Sequence, residues 1–207
     1  MMTTAIIPVL VAIFLTPPAG EESRLFWATY KSNQSTDSAR IEAIHGLSSR
    51  PTLAGAKVLG RLLLVASESH RIEAARALTK FRGMKRASVL VAWALQHRAN
   101  RKRTAVRVEL VKTLGSLREK GALPLLHNLL KDRDVVVKRA AIEAIPPFGN
   151  KRSLRLLIDA LKRSERTGGK VGADLNKALR TLTNRSWTQS QEWSRWVEST
   201  QSRSAIR

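Results

Sequence analysis

The feature that most limits what this chain can fold into is a phrase that it repeats. Ile41-Glu42-Ala43-Ile44-His45-Gly46-Leu47 returns as Ile72-Glu73-Ala74-Ala75-Arg76-Ala77-Leu78 and again as Val108-Glu109-Leu110-Val111-Lys112-Thr113-Leu114. A fainter copy is Arg139-Ala140-Ala141-Ile142-Glu143-Ala144-Ile145, and a last echo ends at Leu182. Counted between the last apolar residues of each copy, Leu47, Leu78, Leu114, Ile145 and Leu182, the spacings are 31, 36, 31 and 37 residues. Self-similarity at such a period marks stacked structural units, none of which can bury its apolar face alone.

Aligned on those anchors, the copies form columns. Three places earlier stand Ile44, Ala75, Val111, Ile142 and Leu179; four places earlier stand Ala43, Ala74, Leu110, Ala141 and Ala178. These offsets make the apolar stripe of an amphipathic helix. A second stripe follows each of the first four anchors. It consists of Ala56, Leu59 and Leu63, then Ala87, Leu90 and Ala94, then Leu123, Leu126 and Leu130, then Leu154, Leu157 and Leu161. Between the stripes lie Ser48-Ser49-Arg50-Pro51, Arg82-Gly83, Glu119-Lys120-Gly121 and Pro146-Pro147-Phe148-Gly149, which are breaker sequences. Each unit is therefore expected to be a helix, a turn and a second helix. The fold expected is all-α, a right-handed α-solenoid of four to five helix pairs with capping helices.

Asp134-Val135-Val136-Val137-Lys138-Arg139-Ala140-Ala141 and the leucine-rich helix after it give the cadence its clearest form. The chain here resembles HEAT repeats, in the short bacterial form shared with phycobiliprotein-lyase relatives, over about residues 36–183. Leu182-Thr183-Asn184 followed by Trp187, Trp193 and Trp196 is similar to the tryptophan-rich ending of exported bacterial HEAT-repeat proteins. The resemblance implies a solenoid that binds proteins and carries no particular chemistry.

Charge sets the class of partner. Lys and Arg number 37 against 16 Asp and Glu, a net charge of +21, in a chain of 207 residues. Such an excess attracts an acidic protein or nucleic acid and says nothing of fold. With no cysteine, thiolate nucleophiles, disulfides and Cys-based metal sites are excluded. His45, His70, His97 and His127 stand at no metal-binding spacing, and His70 is expected to be exposed. Neither a Gly-x-Ser-x-Gly elbow nor a His-Glu-x-x-His helix occurs. No catalytic residue, metal or cofactor is expected.

Four features could carry function. Arg40, Arg71, Arg107 and Lys138 recur seven places before the anchors, and each is expected to pair with an acid of the stack, leaving no free rail. Between Glu73 and Glu109 there is no acid, but the stretch holds Lys85, Arg86, Arg98, Arg101, Lys102, Arg103 and Arg107. These are the candidate anion-binding residues, with the densest part, Arg98–Arg103, on a loop between repeats. Trp93, nearby, is assigned to the core stripe. The tryptophans near the C-terminus are expected to close the last repeat, on a helix Gln189 to Thr200 capped by Ser190. Thr167-Gly168-Gly169-Lys170-Val171-Gly172 lacks the phosphate-loop pattern and reads as a flexible insertion.

Residues 1–20 hold no charged side chain, and Ala5–Leu15 is an apolar run too short to span a membrane. It reads as a signal peptide, placing the mature chain in the periplasm or cell envelope if cleaved and in the cytoplasm otherwise. The expected layout is 1–20 signal peptide or apolar N-terminal segment, 21–35 capping helix, 36–183 repeats, 184–200 tryptophan-containing capping helix and 201–207 disordered tail. The function expected is a non-enzymatic scaffold that binds an acidic protein through a basic surface. A nucleic-acid binder, either DNA-glycosylase-like or a non-specific duplex binder, is the alternative, and a bilin lyase-like role follows from the repeat type alone.

Overall fold

Thr36, Thr52, Ser67, Asp134 and Asn150 each precede an apolar-periodic run, and each starts a helix. Their side-chain oxygens accept from the backbone N–H of Ala39, Gly55, His70, Val136 and Arg152, satisfying donors that a helix start leaves unpaired. The computed structural model describes residues 20–204, with side chains described to residue 199. The expected signal segment, apart from Gly20, lies outside the described residues. Eleven α-helices follow in order: α1 Glu21–Lys31, α2 Asp37–Ser49, α3 Leu53–Val65, α4 Glu68–Leu78, α5 Lys85–Gln96, α6 Thr104–Leu117, α7 Leu123–Leu129, α8 Val135–Ala144, α9 Lys151–Thr167, α10 Gly172–Thr183 and α11 Ser190–Ser204. No strand occurs among the described residues. The fold is all-α, built of HEAT-like helix pairs.

The described residues divide into two compact units, one up to residue 122 and the other from residue 123. In the first unit α2, α4 and α6 pack side by side, and α3 packs on α5. Ile44, Ala75 and Val111 in one column, and Ala56, Leu59, Leu63, Ala87, Leu90 and Ala94 in the other stripe, are fully buried. Gly60 lets α3 approach α5, since a Cβ there would sit 3.1 Å from a Leu90 methyl. The repeats are tied by a ladder of polar side-chain pairs. His45 meets Glu73 at 3.0 Å, and Arg76, one repeat on, meets Glu109 at 3.5 Å. In each pair the carboxylate is partly buried and its partner about half exposed, so the contribution is small, ~0.2–1 kcal/mol.

Helix α1 closes the open end of this unit, packing on α2 and α3. Phe26 is buried, stacks on Tyr30 and meets Trp27 edge-on, while Arg61 lies over the Trp27 ring at 5.2 Å. The helix ends at Lys31, four residues before the expected boundary, with Ser32 extended. A relay fixes it to the repeats. His70 Nε2 lies 2.8 Å from Asp37 Oδ1, and its Nδ1 is hydrogen-bonded to the Tyr30 hydroxyl at 2.8 Å. Burial pushes the Tyr30 hydroxyl above its ordinary pKa, against the opposing pull of Arg40. His70 is therefore buried, where the sequence reading had it exposed. The repeat turns it inward because it sits on the stacking side of α4.

In the second unit α9 and α10 pack together, α8 packs on α7 and α10, and α11 covers α9. Trp193 is fully buried and donates from Nε1 to Asn176 Oδ1 at 3.0 Å; the amide of Asn176 in turn donates to Thr188 O. Trp187 packs edge-on to Trp193 and tilts against Trp196. The three tryptophans thus cluster where α11 packs on α9. Ser190 is the first residue of α11 and not its cap. The free N–H groups of Thr188 and Gln189 go to the Glu192 carboxylate, and that of Ser190 to Glu165, which also accepts the Ser190 hydroxyl. The helix runs beyond 200 to Ser204.

Candidate functional site

The cations singled out in the sequence fall at two ends of one helix. Lys85 and Arg86 open α5, and Arg98–Arg103 follow its end. Twelve residues of helix separate them by about 18 Å, so they form two edges and not one cluster. At the first edge Lys85 and Arg86 are exposed, beside exposed Lys80 and Arg82 in the preceding turn. Two cations in the first turn oppose the helix dipole, which favours acids there. No side chain caps this helix, Met84 standing at the cap position. The arrangement costs stability and is one an incoming anion would relieve.

The second edge is only partly a surface. Arg98–Asn100 forms a 3-10 turn, begun where His97 Nδ1 accepts from the Ala99 N–H. Asn100, in the middle of the basic run, is fully buried. Its amide donates to Leu63 O at 3.0 Å and Ala94 O at 2.9 Å, carbonyls near the ends of α3 and α5. Its Oδ1 accepts from Arg71 Nη1 at 2.6 Å. Arg103 donates to Ala99 O and pairs with Glu68 at 3.1 Å. Arg107 is half-buried and engaged in contacts within the protein. Arg98, Arg101 and Lys102 are exposed and form no ion pair within the described residues.

Two of the recurrent cations, Arg40 and Arg71, serve the stack through carbonyls and an amide and not through the acids expected, while Lys138 forms no ion pair among the described residues. Arg71 is buried and donates to Ala66 O, Ala99 O and Asn100 Oδ1. Arg40 donates to Ser32 O at 3.2 Å. Guanidinium groups here close exposed carbonyls of preceding turns, a task that needs several fixed donors in a fork. Burial, then the Arg103 charge, lowers the Arg71 pKa, while Glu68 raises it. Trp93, assigned to the core, is half-buried and packs on His97 at 4.6 Å between ring centres. His97 is pushed below the ordinary imidazole range by burial, then by Arg98 and Arg71.

Asn100 and Glu68 are what residue counting missed. An asparagine inside a charged run carries no periodic signal, and its burial depends on two helix ends that converge from distant parts of the chain. Among the described residues no group of three or more His, Asp or Glu could hold a metal ion. No described helix is long and apolar enough to cross a membrane. Comparison with known families finds HEAT repeats over residues 94–168, from the last turn of α5 to the end of α9. That interval contains Arg98–Arg103 and both stripes of the third and fourth copies. No curated protein matches the sequence.

Proposed function

Since the chain is a HEAT-repeat protein, we propose that it is a non-enzymatic scaffold that binds an acidic protein through the two basic edges at the ends of α5. One observation carries this reading. The acids and several arginines of the repeats are spent on stacking, through His45–Glu73, Arg76–Glu109, Glu68–Arg103 and Arg71–Asn100. Lys85, Arg86, Arg98, Arg101 and Lys102 are left exposed, without an acid partner among the described residues. HEAT repeats generally mediate protein interactions. Exposed charges of one sign raise the rate at which an oppositely charged partner docks and select against others. The apolar segment 1–20 supports a periplasmic or envelope location, tested by N-terminal sequencing of the mature protein.

The test compares wild-type protein with a variant carrying alanine at Lys85, Arg86, Arg98, Arg101 and Lys102. Immobilised wild type should retain an acidic protein from cell-envelope extract at moderate salt after nuclease treatment, and the variant should not. Recovery of nucleic acid alone would overturn the scaffold in favour of duplex binding. In that event binding to a random duplex should weaken steeply with salt, the slope falling by roughly one per lost phosphate contact in the variant.

A further inference from the structure

In the second unit a groove of about 550 Å³ opens between α8, α9 and the start of α10. That volume lies within the roughly 300–1,000 Å³ of small-molecule sites. Its apolar lining is Leu130, Ala160 and Val171, each with a small exposed area, backed by the fully buried Ile142 and Leu175, and Val135 stands at its edge, 37% exposed. Lys131, Lys138, Arg163 and Lys170 also line it, and no acid does. None of these four cations forms an ion pair among the described residues. The nearby acid Asp174 is held by Arg139 at 2.9 Å. Four like charges around low-dielectric walls repel one another and focus a positive potential into the groove.

The wall that carries Lys170 is built, not loose. Gly168 turns left-handed, the Gly169 N–H donates to Ser164 O at 2.8 Å, and the Ser164 hydroxyl donates back to Gly169 O at 3.0 Å. Arg139 Nη2 donates to Lys170 O at 2.8 Å. Reciprocal bonds to the last turn of α9 hold this loop, which the sequence marks as a flexible insertion. The same bonds limit what the groove can receive. The Ser164 hydroxyl is spent on Gly169 O and that of Thr167 on Arg163 O. A peptide backbone laid on this lining would find few partners for its polar groups, whereas an alkyl chain needs none.

We propose that this groove binds a single-chain amphiphilic anion, its alkyl chain against Val135, Leu130 and Val171 and its carboxylate or phosphate among Lys131, Lys138, Arg163 and Lys170. The experiment titrates the full chain with decanoate, decyl phosphate, decanol and decyltrimethylammonium below their micelle concentrations. Binding is read by calorimetry and by displacement of anilinonaphthalene sulfonate. Decanoate and decyl phosphate should bind, their ratio separating carboxylate from phosphate sources, and decyltrimethylammonium should not. Lys138→Gln and Lys170→Gln should each weaken decanoate about 5-fold. Val135→Glu, at a half-exposed position, should weaken it further with the circular dichroism unchanged. Equal binding of the cationic detergent would overturn the proposal, as would decanoate affinity unchanged in the lysine variants. So would binding of an alternating Glu-Leu peptide that decanoate does not displace. These residues are separate from the basic edges of α5, so the two proposals fail independently.

Discussion

Asn100→Ala tests the claim that the basic run after α5 is anchored from within. The substitution removes three hydrogen bonds from a fully buried side chain. The bond from Arg71 involves a charged donor, for which ~1.5–3 kcal/mol is typical, and the two neutral bonds contribute ~1 kcal/mol each. Ala94 O keeps the His97 N–H at 3.3 Å, and Arg71 keeps Ala66 O and Ala99 O, so those losses are partial. Leu63 O lies in the last turn of α3, where no intrahelical donor follows, and loses most. The sum is about 4 kcal/mol, which for a chain of this length lowers Tm by about 8–16 °C. Thermal and urea unfolding followed by far-UV circular dichroism measure it, with Arg101→Ala as an exposed control expected within ~0.5 kcal/mol. An Arg71→Ala, Asn100→Ala double variant should lose less than the sum of the singles, because the two share a bond. If Asn100→Ala behaved like Arg101→Ala, the run would be a surface loop and the anchoring argument would be wrong.

Trp193→Ala removes the fully buried ring of the C-terminal cap and should cost about 3–5 kcal/mol of unfolding free energy in urea. Gly169→Ala would place a Cβ 2.9 Å from Ser164 Oγ, breaking the reciprocal bonds of the loop; a cost of about 1–3 kcal/mol should appear, with faster amide exchange at residue 169. Burial, with Arg98 and Arg71, lowers the pKa of His97; burial, with Arg152, lowers that of His127. The folded state therefore resists protons that the unfolded chain accepts below about 6.5, so stability should fall as pH drops from about 7.5 to 5.5. His97→Gln with His127→Gln should flatten that dependence, and an unchanged slope would contradict it.

Most of the helical frame was legible from spacing. Leu59, Leu90, Leu126 and Leu157 recur because stacked helices bury the same face each time, and all four are fully buried. The same periodicity located the breaks. It was blind to residues whose task is set by a neighbour outside their own repeat. His70 looked like an exposed residue beside an arginine, yet Asp37 and Tyr30 surround it. Arg71 looked like half of an ion pair, yet it closes carbonyls. Lys131, Lys138, Arg163 and Lys170 share no column and no spacing, and only packing brings them around one groove.

Local order, the hydrophobic stripe, the cap residues and the breakers were therefore written in the chain, because each depends on neighbours within a few turns. Which cations remain free was decided by tertiary structure. That outcome depends on which carbonyls, amides and acids meet them, and several of those groups arrive from 28 to 35 residues away. Arg71 and Arg103 were taken up by such groups, while Arg101 and Lys102 were left at the surface.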